Sequence, residues 1–198
     1  MTASLQKQFD KVFAQLRDDG LLLTADLTYL ITGERIRGSW WSHKLAGTIF
    51  KVSEMLDDHP DVTIMKLISG KVTFVHRELW SSIYSIGIAR EDWQLKKLSA
   101  NARRLLKTVD SSGSVQTSGD AARELESRLL VHAEQIHTES GKHAKIIETW
   151  DAWAKRAGFR ARASDPVAAR RFIEQQLKNL NTKYNELGKL PWPSDPSY

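Results

Sequence analysis

Two adjacent tryptophans, Trp40 and Trp41, lie in a basic segment with the sequence RIRGSWWSHK. Aromatic rings stack on unpaired bases, and lysine or arginine side chains bind the neighbouring phosphates. The net charge of +5 also favours an anionic partner. The segment therefore predicts a nucleic-acid contact. The alternative is structural: Trp41 precedes a predicted helix cap and could pack against Ala46, while Trp40 could cover the core.

The predicted nucleic-acid site extends from this segment into the helix and the hairpin that follow it. A helix amino terminus offers free N–H groups to an anion, and basic residues on a hairpin can contact phosphates. We expect DNA as the partner in preference to RNA. The predicted binding residues are Arg35, Arg37, Trp40, Trp41, His43, Lys44, Lys51, Lys66, Lys71 and Arg77. His43, expected in the first turn of the helix, is also a candidate catalytic base.

A second group of candidates lies on a predicted long helix that runs from Asp120 to about Arg156. Spacings of three and four residues place a mixed set of apolar and polar side chains on one face. The set is Leu125, Leu129, His132, Ile136, Glu139, His143, Ile147 and Trp150. Glu139 and His143 are four residues apart, so they are candidates for catalysis and for binding a divalent metal ion. They could instead form a buried pair that only fixes packing, and a helix break at Ser140-Gly141 would separate them.

A third candidate is the basic stretch WAKRAGFRARASDPVAARR, which begins at Trp153. Its cations could follow a phosphate backbone, although a run of charge is usually a solvated surface. The sequence contains no G-x-G-x-x-G, Walker A or G-x-S-x-G motif. We therefore expect no cofactor, and the sequence leaves open whether the protein is an enzyme.

The composition is that of an ordinary globular chain. Its 198 residues fit one domain or two small ones, and 41% hydrophobic with 27% charged residues argue against disorder. No apolar run approaches the roughly 18 to 20 residues that cross a bilayer, and the amino-terminal segment lacks the layout of a signal peptide. Zero cysteines exclude disulfides and thiolate metal sites. We expect a cytoplasmic protein without a membrane partner.

Apolar spacing and turn residues predict the elements of the first half. A helix is predicted over residues 4–18, LLLTADLTYLI fits a strand or a helix, and Ser42 is predicted to cap a further helix. Two β-rich runs then flank Ser69-Gly70, which predicts a two-residue hairpin turn. The expected cross-strand pairs are Leu67 with Val72, Met65 with Phe74 and Thr63 with His76. These six side chains should share the core face.

Two helices followed by a hairpin predict a winged-helix-like domain over residues 1–95. The second half, residues 96–190, is predicted as a helical domain. It would contain a helix in SANARRLLKTV, the long helix, a helix over about residues 166–187, and a flexible loop in DSSGSVQTSGD. Residues 191–198 are predicted to form an extended tail. The predicted fold class is therefore α+β and mostly helical.

Four segments, GSWWSHK, KLISGKVTFVHRELW, HAEQIHTESGKHAK and LPWP, resemble a set of uncharacterised bacterial proteins. The resemblance implies no activity. The residues themselves predict a nucleic-acid-binding protein of DNA repair or regulation. One alternative is a hydrolytic or metal-assisted enzyme that uses His43 or the pair of Glu139 and His143. The other is a non-enzymatic interaction protein that pairs through its long helix, for example as a homodimer.

Overall fold

The computed structural model describes residues 2–137 and 143–193. The described chain is α+β and mostly helical, as predicted, with two three-stranded antiparallel sheets. The first half contains α1 (Ala3–Asp19), β1 (Leu21–Leu23), α2 (Thr24–Thr32), α3 (Ala46–Asp57), β2 (Val62–Ile68), β3 (Lys71–His76), α4 (Trp80–Ala89) and α5 (Asp92–Leu95). The second half contains α6 (Ala100–Ser112), β4 (Ser114–Thr117), α7 (Asp120–Ser127), β5 (His132–His137), β6 (His143–Glu148), α8 (Trp150–Arg156) and α9 (Pro166–Tyr184).

Helix α1 follows directly from its end signals. The Thr2 hydroxyl accepts a hydrogen bond from the Leu5 N–H, and Gly20 ends the helix with a φ of 72°. The segment LLLTADLTYLI, which fitted a strand or a helix, contains one of each. Its three buried leucines form β1, and α2 begins at Thr24. In the first sheet β3 lies between β1 and β2. The predicted helices in α1, α6 and α9 are confirmed.

The β2–β3 hairpin has the predicted turn but a different register. Ser69 and Gly70 have φ angles of 52° and 67°, and Ile68 pairs with Lys71 beside the turn. The register then shifts by one residue, so that Met65 lies opposite Thr73. The predicted pairs Met65–Phe74 and Thr63–His76 are therefore wrong, whereas the predicted pair Leu67–Val72 lies in the irregular stretch between Met65 and Ile68 and stays a prediction. Within this irregular stretch the Thr73 hydroxyl accepts a hydrogen bond from the Ile68 N–H at 3.2 Å.

Both faces of this hairpin contribute to the core. Thr63, Met65, Leu67, Phe74 and His76 are buried, as predicted. The side chains of Val62, Ile68, Thr73 and Val75 are also buried, and Val72 is exposed. The predicted single core face is therefore wrong, because the sheet is covered on both sides.

The predicted long helix from Asp120 to Arg156 is wrong. Helix α7 ends at Ser127, and Leu129 then has a left-handed backbone with a φ of 52°. The chain continues into β5 and β6, which pair with each other, and returns to helix only at Trp150. The eight spaced side chains therefore share no helix face, and the predicted loop in DSSGSVQTSGD contains β4, which pairs with β6.

Two hydrophobic clusters form the interior. The first contains residues from α1 to α4 and from the first sheet, together with Trp150 and Trp153 of α8, Ile173 of α9 and Trp192. The second is formed mainly by α6, α7 and β6, with Leu125 and Ile147 fully buried. The first cluster includes residues from both sides of the predicted boundary at residue 95, and the division into two domains stays a prediction. Among the described residues, no helix combines the length and hydropathy of a membrane-spanning segment.

Asp26 is fully buried at the start of α2. One carboxylate oxygen accepts the Leu23 N–H at 3.0 Å, and the other lies 3.6 Å from Nη1 of Arg35. Burial raises the pKa of Asp26 to about 6, and the Leu23 hydrogen bond and the Arg35 charge oppose this only in part. Arg35 also pairs with Glu186 at 2.8 Å and donates to the Tyr184 carbonyl. The guanidinium therefore ties α2 to the end of α9.

The turn provides a test of the hairpin. An added Cβ at Gly70 would meet nothing within 4 Å, so only the positive φ opposes a side chain there. We expect Gly70→Val to lower the free energy of unfolding by about 1 to 2 kcal/mol, measured by urea denaturation. Gly70→Asn is the matched control, because asparagine tolerates left-handed backbone and should lose less. Equal losses in the two variants would contradict this account of the turn.

Asp26 predicts the pH dependence of stability. Its folded pKa is raised above the unfolded value of 3.8, so the folded state binds this proton more tightly. The resulting stabilisation is complete below about pH 4 and is lost as the pH rises through about 6. A shift of roughly two units corresponds to about 3 kcal/mol. In Asp26→Asn, we expect the decline of unfolding free energy across this range to become flatter. An unchanged pH profile would mean that another group produces the decline.

Candidate nucleic-acid interface

The segment around the two tryptophans folds as a short turn ahead of α3. Trp40 to Ser42 form a 3-10 turn, and the Ser39 hydroxyl accepts a hydrogen bond from the Trp41 N–H at 3.4 Å. Helix α3 begins only at Ala46. The prediction that Ser42 caps this helix is therefore wrong, because Ser39 caps the preceding turn instead.

The two tryptophans have different environments. Trp40 is half-buried and packs against the first hydrophobic cluster, as the structural alternative expected. Trp41 is 63% exposed and stacks on Trp40, with ring centroids 4.1 Å apart. The Trp41 ring also lies 5.6 Å from the ring of Phe50, which is itself exposed on α3. We call Trp41 and Phe50 the aromatic patch. The two rings form a continuous apolar surface that a base or another apolar group can cover.

Phe50 was missed in the sequence, although a signal for it was present. The buried face of α3 consists of Ile49, Val52 and Leu56. Phe50 follows Ile49 directly and therefore points about 100° away from it around the helix. An aromatic residue that leaves the buried stripe next to Lys51 indicates a surface contact.

Several predicted phosphate-binding cations make no contact with an acidic or polar group among the described residues. Arg37 and Lys44 flank the turn, Lys51 lies on α3, and Lys71 follows the hairpin turn; all four are exposed. In the described part of the chain these four side chains, and that of Lys66, make no hydrogen bond or ion pair. Lys66 is half-buried. A surface cation without an internal partner can bind a phosphate without breaking an existing contact.

Two of the predicted phosphate contacts are engaged within the protein. Arg35 makes the contacts with Asp26, Glu186 and Tyr184 described above. Arg77 pairs with Asp61 at 3.3 Å, and its guanidinium lies 5.3 Å from the centroid of the Trp80 ring. Both guanidinium groups therefore have structural roles, and phosphate binding would compete with those contacts.

Both ring nitrogens of His43 are occupied. Nδ1 accepts the Leu45 N–H at 3.1 Å, so Nε2 bears the proton and donates it to Glu34 at 3.0 Å. His43 lies before α3, not in its first turn as predicted. The imidazole therefore connects the turn to the preceding loop and has no free nitrogen with which to accept a proton from a substrate.

The charge on α3 changes sign along the helix. Lys51 lies in its first half, whereas Glu54, Asp57 and the following Asp58 are exposed at its other end. Gly47, Phe50 and Lys51 are spaced by three and four residues and form one exposed face. The surface suited to a polyanion is therefore the first half of α3 with the preceding turn.

The remaining candidates lie elsewhere. Glu139 lies outside the described residues, and His143 is the first residue of β6 rather than its neighbour on a helix. Among the described residues, no group of three or more His, Cys, Asp or Glu could hold a metal ion. In the basic stretch after Trp153, Arg156 pairs with Glu148, while Arg160 and Arg162 are exposed.

The different burial of the two tryptophans predicts different effects on stability. We expect Trp41→Ala to lower the free energy of unfolding by about 1 kcal/mol, the loss of an exposed stacking contact. Trp40→Ala should cost more, about 2 kcal/mol, because it also removes packing from the core. Urea denaturation measures both. A larger loss for Trp41→Ala would mean that its ring is buried in solution.

No family model, curated protein or solved structure matches this chain.

Proposed function

We propose that this protein binds nucleic acid, DNA in preference to RNA, through the aromatic patch and the unpaired cations around it. The observation that supports this most strongly is the exposed Trp41, stacked on Trp40 and beside Phe50, in a segment that also provides Arg37 and Lys44. A ring held in this way loses little conformational freedom when a base stacks on it. We also propose a cytoplasmic location, which suits a chain with zero cysteines.

The order of elements supports a winged-helix-like arrangement. Helices α2 and α3 are followed by the antiparallel β2–β3 hairpin, and β1 closes the sheet on the far side of β3. In such domains the second helix of the pair enters the major groove and the hairpin contacts phosphates. We therefore assign α3 to the groove and Lys71, beside the hairpin turn, to the backbone.

The exposed face of α3 suits a close approach to DNA. Gly47 has no side chain to hold the helix away from a groove wall, and Lys51 lies one turn further on. The major groove of B-DNA is about 12 Å wide and admits a helix, whereas that of A-form RNA is deep and narrow. Double-stranded DNA is therefore the better partner for α3.

Trp41 adds a preference for an unpaired base. Its ring is fixed on one side by Trp40, while 63% of its surface remains accessible to solvent. A base in a continuous duplex has both faces covered by its neighbours, whereas an unpaired base can place one face on a ring, worth about 1 to 3 kcal/mol. We therefore propose that Trp41 stacks on an unpaired base of a strand bound along the cations.

The other non-enzymatic alternative, a homodimer formed through a long helix, is not supported. The residues expected to form that helix are divided among α7, β5, β6 and α8. A homodimer would need another surface.

Oligonucleotide titrations at two salt concentrations test the proposed function. We expect a duplex with an unpaired base to bind more tightly than a continuous duplex or a single strand, because only that duplex offers both a groove for α3 and a free base for Trp41. Lys51→Gln should weaken binding to all of them and lower the salt dependence by about one unit of slope. Trp41→Ala should weaken binding to unpaired bases and leave the slope nearly unchanged.

Lys107→Gln is the charge-matched control, because Lys107 is exposed on α6 and α6 packs in the second cluster. It should leave affinity and slope close to wild type. Equal weakening by Lys107→Gln and Lys51→Gln would show non-specific attraction to a basic surface. Absence of binding to every oligonucleotide at low salt would contradict the proposed function.

A further inference from the structure

A cavity of about 470 Å³ lies between the first sheet and the second sheet. Strand β2 forms one wall, and β5 and α8 contribute to the others. The lining is about half apolar side chains, among them Ile64, Met65 and Trp153, and about half polar or charged ones, among them Thr63 and His132. A cavity of this size, lined by apolar side chains and by polar groups that can orient a ligand, suits a small polar organic molecule.

Two of these polar groups, Thr63 and His132, form a connected chain of hydrogen bonds with Glu148 behind them. The Thr63 hydroxyl of β2 lies 3.1 Å from Nε2 of His132, at the start of β5. The other ring nitrogen, Nδ1, lies 3.1 Å from Oε1 of Glu148, the last residue of β6. A hydroxyl, an imidazole and a carboxylate connected in this order are the parts of an activated nucleophile.

Arg156 holds the carboxylate end of this chain. Its Nη2 donates to Oε1 of Glu148 at 2.6 Å and its Nε to Oε2 at 3.3 Å, and Nη2 also lies 3.1 Å from Glu134. Burial alone would raise the pKa of Glu148, but the hydrogen bonds from His132 and Arg156 outweigh it and hold this pKa below its usual value. Glu148 is therefore ionised at neutral pH and can only accept hydrogen bonds.

The ionised Glu148 fixes the direction of the chain. Nδ1 of His132 must donate to the carboxylate, so in the neutral imidazole Nε2 has a free electron pair and accepts the proton of the Thr63 hydroxyl. The imidazole is also held by packing, since the Trp153 ring lies 5.3 Å away at an interplanar angle of 23°. The proton acceptor is thus oriented from three sides before any ligand binds.

If the hydrogen bonds of Thr63, His132 and Glu148 served only to join the two sheets, no cavity would be needed beside them. Thr63 and His132 both line the cavity, although they are 8% and 4% exposed.

We propose that this cavity is a hydrolytic site for small carboxylic esters, with Thr63 as nucleophile, His132 as general base and Glu148 as the residue that positions His132. The Thr63 oxygen forms a bond to the acyl carbon while its proton passes to Nε2 of His132. The bond from the acyl carbon to the alcohol oxygen breaks, and that oxygen takes the proton from His132. Water then attacks the threonyl ester in the same way, which releases the carboxylic acid and restores the Thr63 hydroxyl.

This proposal does not depend on nucleic-acid binding. Thr63, His132 and Glu148 lie in β2, β5 and β6, and none of them belongs to the aromatic patch or its cations. Either proposal can therefore fail without the other.

The probe is p-nitrophenyl acetate added to the full chain, with release of p-nitrophenolate as the rate and peptide mass spectrometry to locate the acetyl group. We expect the acetyl group on the peptide that contains Thr63. His132→Gln should slow its formation by about 100-fold or more, the contribution of a positioned general base. Thr63→Ser keeps a hydroxyl in place and should retain acetylation, whereas Thr63→Val should abolish it.

Thr182→Val is the matched control, because it removes a hydroxyl from an exposed position on α9 and should leave acetylation at the wild-type rate. Acetyl groups confined to lysine amines, or equal rates in wild type and His132→Gln, would overturn the proposal. If Thr63→Val does not fold, the location of the acetyl group in wild type and the rate in His132→Gln still decide the question.

Discussion

The packing of the two halves of the chain against each other depends on the contact between Gly87 and Trp150. A Cβ on Gly87 would lie 2.1 Å from Nε1 of Trp150, so α8 can pack against α4 only because position 87 has no side chain. The same indole nitrogen donates to the Leu129 carbonyl at 2.8 Å, which fixes the turn between α7 and β5. Trp150 thereby sets the position of His132, three residues after that turn, relative to the first sheet. Any side chain at position 87 would displace this arrangement.

The sequence predicted the elements whose ends are determined locally. Thr2, Gly20 and the Ser69-Gly70 turn act through their own backbone geometry, so α1 and the hairpin turn were predictable. The second half was not, because side chains that belong to α7, β5, β6 and α8 happen to follow one another at the three- and four-residue spacings of a helix, although a strand repeats every two residues. The deciding residue is Leu129, whose left-handed backbone ends the helical pattern without a glycine to signal it. The shift in hairpin register occurs where the Thr73 hydroxyl accepts the Ile68 N–H, and no spacing rule includes such a bond.

The residue types of the candidate interface were predictable from the sequence, but which of its cations are free to bind a phosphate was not. Lysines, arginines and tryptophans near residue 40 are visible in the sequence, but which cations are free depends on distant residues. Arg35 is engaged by Glu186, 151 positions away, and Arg77 by Asp61 in a neighbouring loop. The hydrogen bonds of Thr63, His132 and Glu148 depend even more on distant contacts, since Thr63 and His132 are 69 residues apart. His132 was visible as a polar residue among apolar ones; Thr63 looked like an ordinary strand residue, and Glu148 like a helical one.

Strand β2 serves both proposed sites and separates them. Its end leads into the Ser69-Gly70 turn beside the exposed cations, while Thr63, near its start, faces the cavity. Six residues of extended chain span roughly 20 Å, about twice the distance over which exposed charges interact at physiological salt. A phosphate at the turn therefore has little direct electrostatic effect on the His132 imidazole. Coupling would have to pass through movement of β2 itself, and this strand is held between β3 and the core, with Val62, Met65 and Ile68 buried. A rigid strand between them lets the surface bind a polyanion without disturbing the hydrogen bonds of the cavity.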